Sequence, residues 1–194
     1  MIENPEENLV SAFNDNSNEL FKLYLTFAFS ISFGMFTQLT FKSYGNLIIQ
    51  DDAYLTEVGQ LGFLLSGISY ILWWGFYQLI GFRRTYYIIL VVQILITTTY
   101  GHITTSRPLF KMWVSLSWVC QAGQQIILMN LIYNQYNIKI GNQINTILFT
   151  GFGVFSLTVV IIADLMIPVV GWTIFYYYFG VINILSLGRI INYK

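Results

Sequence analysis

Charge is what this sequence has least of. Only 9% of its residues are charged, while 56% are hydrophobic. Soluble domains carry roughly 25% charged residues, so a soluble chain of 194 residues could not cover its surface with so few. The formal net charge is zero, so no nucleic-acid reading follows. A single cysteine, Cys120, sits inside an apolar run and excludes an intrachain disulfide or a cysteine-based metal cluster. The one histidine, His102, stands at the mouth of a short loop and reads as a surface residue. No basic segment precedes the first apolar run, as a cleavable signal peptide would need. Glu3, Glu6, Glu7, Asp15 and Glu19 stand there instead, so residues 1–19 read as an acidic, polar, disordered tail. No nucleophile is placed with a base, no glycine-rich phosphate loop occurs, and no metal-ligand cluster is visible. Neither an enzyme nor a cofactor protein is expected.

Long apolar runs are what the sequence does have. Each is about the length needed to cross roughly 30 Å of hydrocarbon as a helix. Six spans are expected: Leu20–Phe41, Leu55–Ile80, Thr85–Tyr100, Pro108–Tyr133, Ile144–Val169 and Trp172–Ile191. The runs are too long and too uniformly apolar for barrel strands, which alternate polarity over about ten residues. The fold class is therefore an all-α membrane protein, with residues 20–192 forming one six-helix bundle.

Lysine and arginine in the flanks orient such a bundle. With six spans, Lys22, Arg83, Arg84, Lys139, Arg189 and Lys194 fall on the side of the termini. Lys42, Arg107 and Lys111 fall on the other, with Asp51, Asp52 and Glu57. Both termini are expected to be cytoplasmic. Tryptophans 73, 74, 113, 118 and 172 lie mostly toward span ends, as in an interfacial aromatic belt.

Polar groups inside a membrane are costly and mark either function or helix–helix bonding. The fourth span holds the densest set, Gln121, Gln124, Gln125 and Asn130. Its two readings are a cavity lining that hydrogen-bonds a solute and interhelical bonding that holds the bundle. Gln38 and Gln93 are single amides, read as structural. Asp164 is the one acid deep in a span, four residues before Pro168. It reads either as an ion-coupling group or as a wet, interfacial carboxylate.

Several segments resemble the major facilitator superfamily, specifically its C-terminal six-helix half in the oxalate/formate-antiporter or monocarboxylate-transporter-like branch. LFKLYLTFAFSISFGMFTQLTFKSYG, from Leu20 to Gly45, resembles helix seven of that branch. Residues Ile48 to Gly75 resemble helix eight with its approach, and Ala122 to Gly153 resemble helix ten and the start of helix eleven. GFYQLIGFRRTYY, from Gly75 to Tyr87, resembles the superfamily's short cytoplasmic loop signature, with Gly75, Gly81, Arg83 and Arg84 at its matching positions. The signature's acid is missing, and the glycine spacing is one residue short.

The resemblance implies one half of a transporter bundle, working by alternating access on a small solute, small organic acids among them. The first, second, fourth and fifth spans would line the cavity, with Gln38, Tyr70, Gln121, Gln124 and Gln125 as contacts. The partners it implies are the lipid bilayer, the solute, and a second bundle from a homodimer or a separate N-terminal-half chain. Tyr70 stands where anion-carrying relatives often have arginine, and the fifth span lacks their lysine. These departures leave a second expectation open: a non-transporting structural subunit or transporter remnant.

Overall fold

The computed structural model describes residues 9–103 and 106–191, with the side chains of 10–15 and 189–191 left aside. Glu3, Glu6, Glu7 and Lys194 lie outside the described residues, as do the side chains of Asp15 and Arg189. The described chain is all-helical. Its four helices are α1 (Leu9–Ile48), α2 (Asp52–Tyr100), α3 (Arg107–Gln135) and α4 (Ile138–Ile191).

Four helices in place of six is a correction with a local cause. At about 1.5 Å per residue, α2 and α4 would each exceed 70 Å if straight, more than twice a hydrocarbon core. Each instead breaks at one residue. Gly81 has φ 78°, ψ 170°, and Gly171 has φ 80°, ψ 161°. That region of backbone space is essentially restricted to glycine. Helical hydrogen bonding is otherwise so nearly continuous that no connecting loop exists. The short loop expected around Arg83 and Arg84 is thus a one-residue joint at Gly81. Pro168, inside α4, sits three residues before the second joint.

The joints divide α2 into arms 52–80 and 82–100, and α4 into arms 138–170 and 172–191. Side-chain contacts fix their directions. Tyr86 meets Ser30 while Tyr44 bonds the carbonyl of Tyr100, so arm 82–100 runs parallel to α1. Trp73 bonds Val119 and Tyr54 bonds Arg107, so arm 52–80 runs parallel to α3. Tyr24 meets Gly151 and Ser156 meets Met35, so arm 138–170 runs with α1. Thr173 meets Gly101, and a Cβ on Gly180 would touch Thr97, so arm 172–191 runs against arm 82–100. Six arms therefore alternate up and down.

The remaining starts and stops follow ordinary capping. Asp51 accepts from the backbone N–H of Tyr54 at 3.0 Å at the start of α2. Asn137 does the same for Ile140 at 3.0 Å at the start of α4. Pro108 lies in the first turn of α3, where its missing N–H costs nothing. Helix α1 begins at Leu9, ahead of the expected Leu20, so residues 9–19 are helical. No proline or glycine interrupts the chain there. It also runs past Phe41 to Ile48, and α4 begins at Ile138, ahead of Ile144.

Helices α1, α2 and α4 are long and apolar enough to cross a membrane. Helix α3 falls short by composition, because its glutamines lower its hydropathy. Of the most apolar stretches, that of α1 is 67% buried and that of α4 only 11% buried, so α1 is the central helix and α4 presents apolar surface outward. Near one end, Phe33, Phe36, Tyr44, Tyr100, Phe110 and Tyr176 stack into an aromatic column joining all four helices. Its tightest ring pair, Tyr100 with Tyr176, has centroids 4.4 Å apart.

Candidate functional site: a neutral polar cavity at mid-bundle

The arms leave a cavity of about 370 Å³ between α1, arm 52–80 and α3. Gln38 reaches it from α1. Phe63, Ser66, Gly67 and Tyr70 line it from arm 52–80, and Trp118, Gln121, Ala122 and Gln125 from α3. Gln121 stands midway along α3, so the site is central. Phe63 and Gly67 at the rim are exposed, so the cavity opens to the outside of this bundle.

Helix phase explains which α3 side chains enter. At 100° per residue, Trp118, Gln121, Ala122 and Gln125 span about 100° of one face. Gln124 lies about 60° outside that arc, toward arm 82–100. Four of the five expected cavity residues, Gln38, Tyr70, Gln121 and Gln125, are therefore brought together, and Gln124 is not. Its amide nitrogen donates to the side-chain amide oxygen of Gln93 instead. Gln93 in turn donates to the Ser30 carbonyl at 2.7 Å. The Ser30 hydroxyl meets the Tyr86 hydroxyl at 2.6 Å, and all four side chains are fully buried. This chain of bonds clamps α3, arm 82–100 and α1 together, in the structural role expected for Gln93.

Within the cavity wall, hydrogen bonding is incomplete. The Tyr70 hydroxyl donates to the amide oxygen of Gln125. The amide oxygen of Gln121 and the indole nitrogen of Trp118 have no protein partner. Both residues are largely buried, at 4% and 7% exposure. A Cβ on Gly34 would come within 2.7 Å of the Gln121 Cβ, so only glycine there lets Gln121 pack against α1. No lining residue carries a formal charge.

A second recess of about 490 Å³ adjoins the first through Gln125. Met129 from α3 and Asn145, Thr146, Phe149 and Thr150 from arm 138–170 complete it. The amide oxygen of Asn145 is also buried without a partner. The sequence points to neither Trp118, placed there in the aromatic belt, nor Asn145 as a cavity residue. Trp118 shares the helix face of Gln121 and Gln125, and that phase was the signal available. Far from forming part of an interfacial belt, Trp118 lies inside the bundle.

Asp164 joins neither recess. It is exposed on α4, fourteen residues beyond Thr150 and so about 21 Å further along the helix. His102 is exposed, as expected, and its ring meets the Tyr177 hydroxyl. Among the described residues no group of histidine, cysteine, aspartate or glutamate could hold a metal ion.

Charge divides between the two ends of the bundle. At one end each described cation faces an acid. Arg107 pairs with Asp51 at 2.9 Å, Lys111 with Glu57, and Lys42 with Asp52 at 3.8 Å. The end holding Gly81 carries Lys22, Arg83, Arg84 and Lys139, with Glu19 beside Lys22 at 2.8 Å. No family model matches the chain, and no curated protein matches it.

Proposed function

We propose that this chain is a membrane-embedded solute transporter, or half of one, of the major-facilitator kind, working by alternating access. The observation that carries the reading is the mid-bundle cavity, where Gln38, Tyr70 and Gln121 converge from three helices. Intramembrane polar side chains facing a cavity are the ordinary signature of a solute path. In transporters built of paired bundles the site lies at mid-membrane between the two. The exposed rim at Phe63 and Gly67 is the side on which a second bundle, from another copy or a separate chain, would sit. The excess of basic side chains at the Gly81 end supports cytoplasmic termini.

Uptake into proteoliposomes containing the purified chain tests this. The reading expects Gln121→Leu to lower uptake severalfold at equal protein incorporation. Wild-type vesicles that take up no small organic acid and no neutral solute above protein-free vesicles would refute it.

One observation favours a non-transporting structural subunit. The bond chain from Gln124 through Gln93 to Ser30 spends intramembrane polar groups on holding helices together. That reading expects a bundle that purifies only within a fixed larger assembly and tolerates Gln121→Leu.

A further inference from the structure

We propose that the mid-bundle cavity binds an uncharged solute carrying several hydroxyl or amide groups, such as a polyol or monosaccharide, and not an organic anion. The inference deepens the transporter reading and rests on it for the identification of the cavity as a solute site. Three observations carry it.

The first is electrostatic. The lining of both recesses consists of amides, hydroxyls, an indole, a thioether and apolar groups, with no cation. The nearest basic residue along α3 is Lys111, seven residues before Trp118 and about 10 Å along the axis, where it pairs with Glu57. On α1 it is Lys42, one turn beyond Gln38, bonded to Thr56 at 3.0 Å and facing Asp52. On α4 it is Lys139, six residues before Asn145 and exposed at the bundle end. An anion entering the cavity would lose its hydration without gaining a counter-charge, which is the expensive case of buried charge.

The second is the mix of unsatisfied groups. Among the residues that line the recesses, the Trp118 indole N–H can only donate and the Gln121 and Asn145 amide oxygens can only accept, and all three atoms are buried without a protein partner. A carboxylate can only accept, so it could pair with the indole or an amide N–H but would leave the amide oxygens without a donor. A hydroxyl or primary amide both donates and accepts and pairs with either. Buried polar groups left without partners are costly, so a ligand that completes them gains what the empty site lacks.

The third is shape. A cavity of about 370 Å³ falls within the usual range for small-molecule sites. The Trp118 and Phe63 rings beside amides form a wall with apolar faces and polar edges, which matches the alternation of C–H and O–H on a polyol.

Equilibrium dialysis of the purified chain tests the proposal, in a detergent without a sugar headgroup. Radiolabelled glycerol, mannitol, glucose and urea are compared with formate, lactate and oxalate. Saturable binding of at least one neutral compound and none of the anions is expected. Trp118→Phe and Gln121→Leu should each weaken that binding about tenfold, the loss of one neutral hydrogen bond. Saturable binding of an anion, binding of no neutral compound, or wild-type affinity in both variants would each overturn the proposal. Uptake by proteoliposomes separates the two readings. Neutral binding without uptake refutes the transporter and keeps the site, whereas uptake of oxalate keeps the transporter and refutes the neutral site.

Discussion

The two glycine joints give the sharpest test of the fold. Replacing Gly81 or Gly171 by alanine adds a methyl group that meets nothing within 4 Å at either position. Any cost is therefore conformational. Holding a non-glycine residue in that region costs about 1–3 kcal/mol. Gly153 provides the control. It is helical, and its added Cβ also meets nothing within 4 Å, so Gly153→Ala should be neutral or stabilise by about 0.5–1 kcal/mol. Cys120 is the reporter. It is the only cysteine, and it is 1% exposed, so a thiol reagent reaches it only when the bundle opens. When opening and closing are fast relative to labelling, the labelling rate tracks the open population. A loss of 1–3 kcal/mol then raises that rate about five- to over a hundredfold, by the tenfold-per-1.4 kcal/mol rule. Gly81→Ala and Gly171→Ala should fall in that range, and Gly153→Ala at or below the wild-type rate. If all three alanine variants label alike, the joints do not hold the left-handed backbone described, and the six-arm arrangement loses its support.

Three further outcomes are expected. Gln124→Leu breaks the bond to Gln93 and leaves that amide oxygen buried. It should destabilise the bundle by about 1–2 kcal/mol, seen as faster Cys120 labelling, while uptake per folded molecule stays near wild type. Asp164→Asn should leave both the rate and the pH profile of uptake unchanged, because Asp164 is exposed and lines neither recess; a shifted pH profile would restore an ion-coupling role. Arg107→Ala removes an exposed ion pair with Asp51 and should change stability by less than about 1 kcal/mol, measured by the same labelling assay.

Much of the helical content was legible because apolar run length is a direct consequence of bilayer thickness. The cavity residues were legible in kind: amides inside apolar helices stand out against their surroundings. What was hidden is the direction each amide takes. Gln121 and Gln125 are one turn apart and share a face, while Gln124 points to another helix. That difference needs the helix phase relative to three neighbours, which a single sequence states only as a ring of alternatives. Trp118 was hidden for the opposite reason. Tryptophan is common at membrane interfaces, so a general preference outweighed its phase. The positions of the joints were legible, because the expected spans already divide at residues 80–85 and 169–172; what the sequence did not show is that one glycine at each, Gly81 and Gly171, makes the whole turn. Residues 9–19 have low hydropathy yet are helical, because nothing in them stops a helix that continues into α1.

The single-residue joints also bear on how the bundle is assembled. A loop of ordinary length lets one helix be placed first and its neighbour find a position later, by sliding or rotating about its own axis. Gly81 leaves no such slack between arms 52–80 and 82–100. Once its two dihedral angles are set, the registry of the pair is set with them. Each pair of arms is thus expected to assemble as one unit, tied at its joint. Lengthening either joint by a few flexible residues would leave every side chain in place and remove only that alignment, so its effect should fall on the yield of correctly assembled protein and much less on the stability of the molecules that succeed.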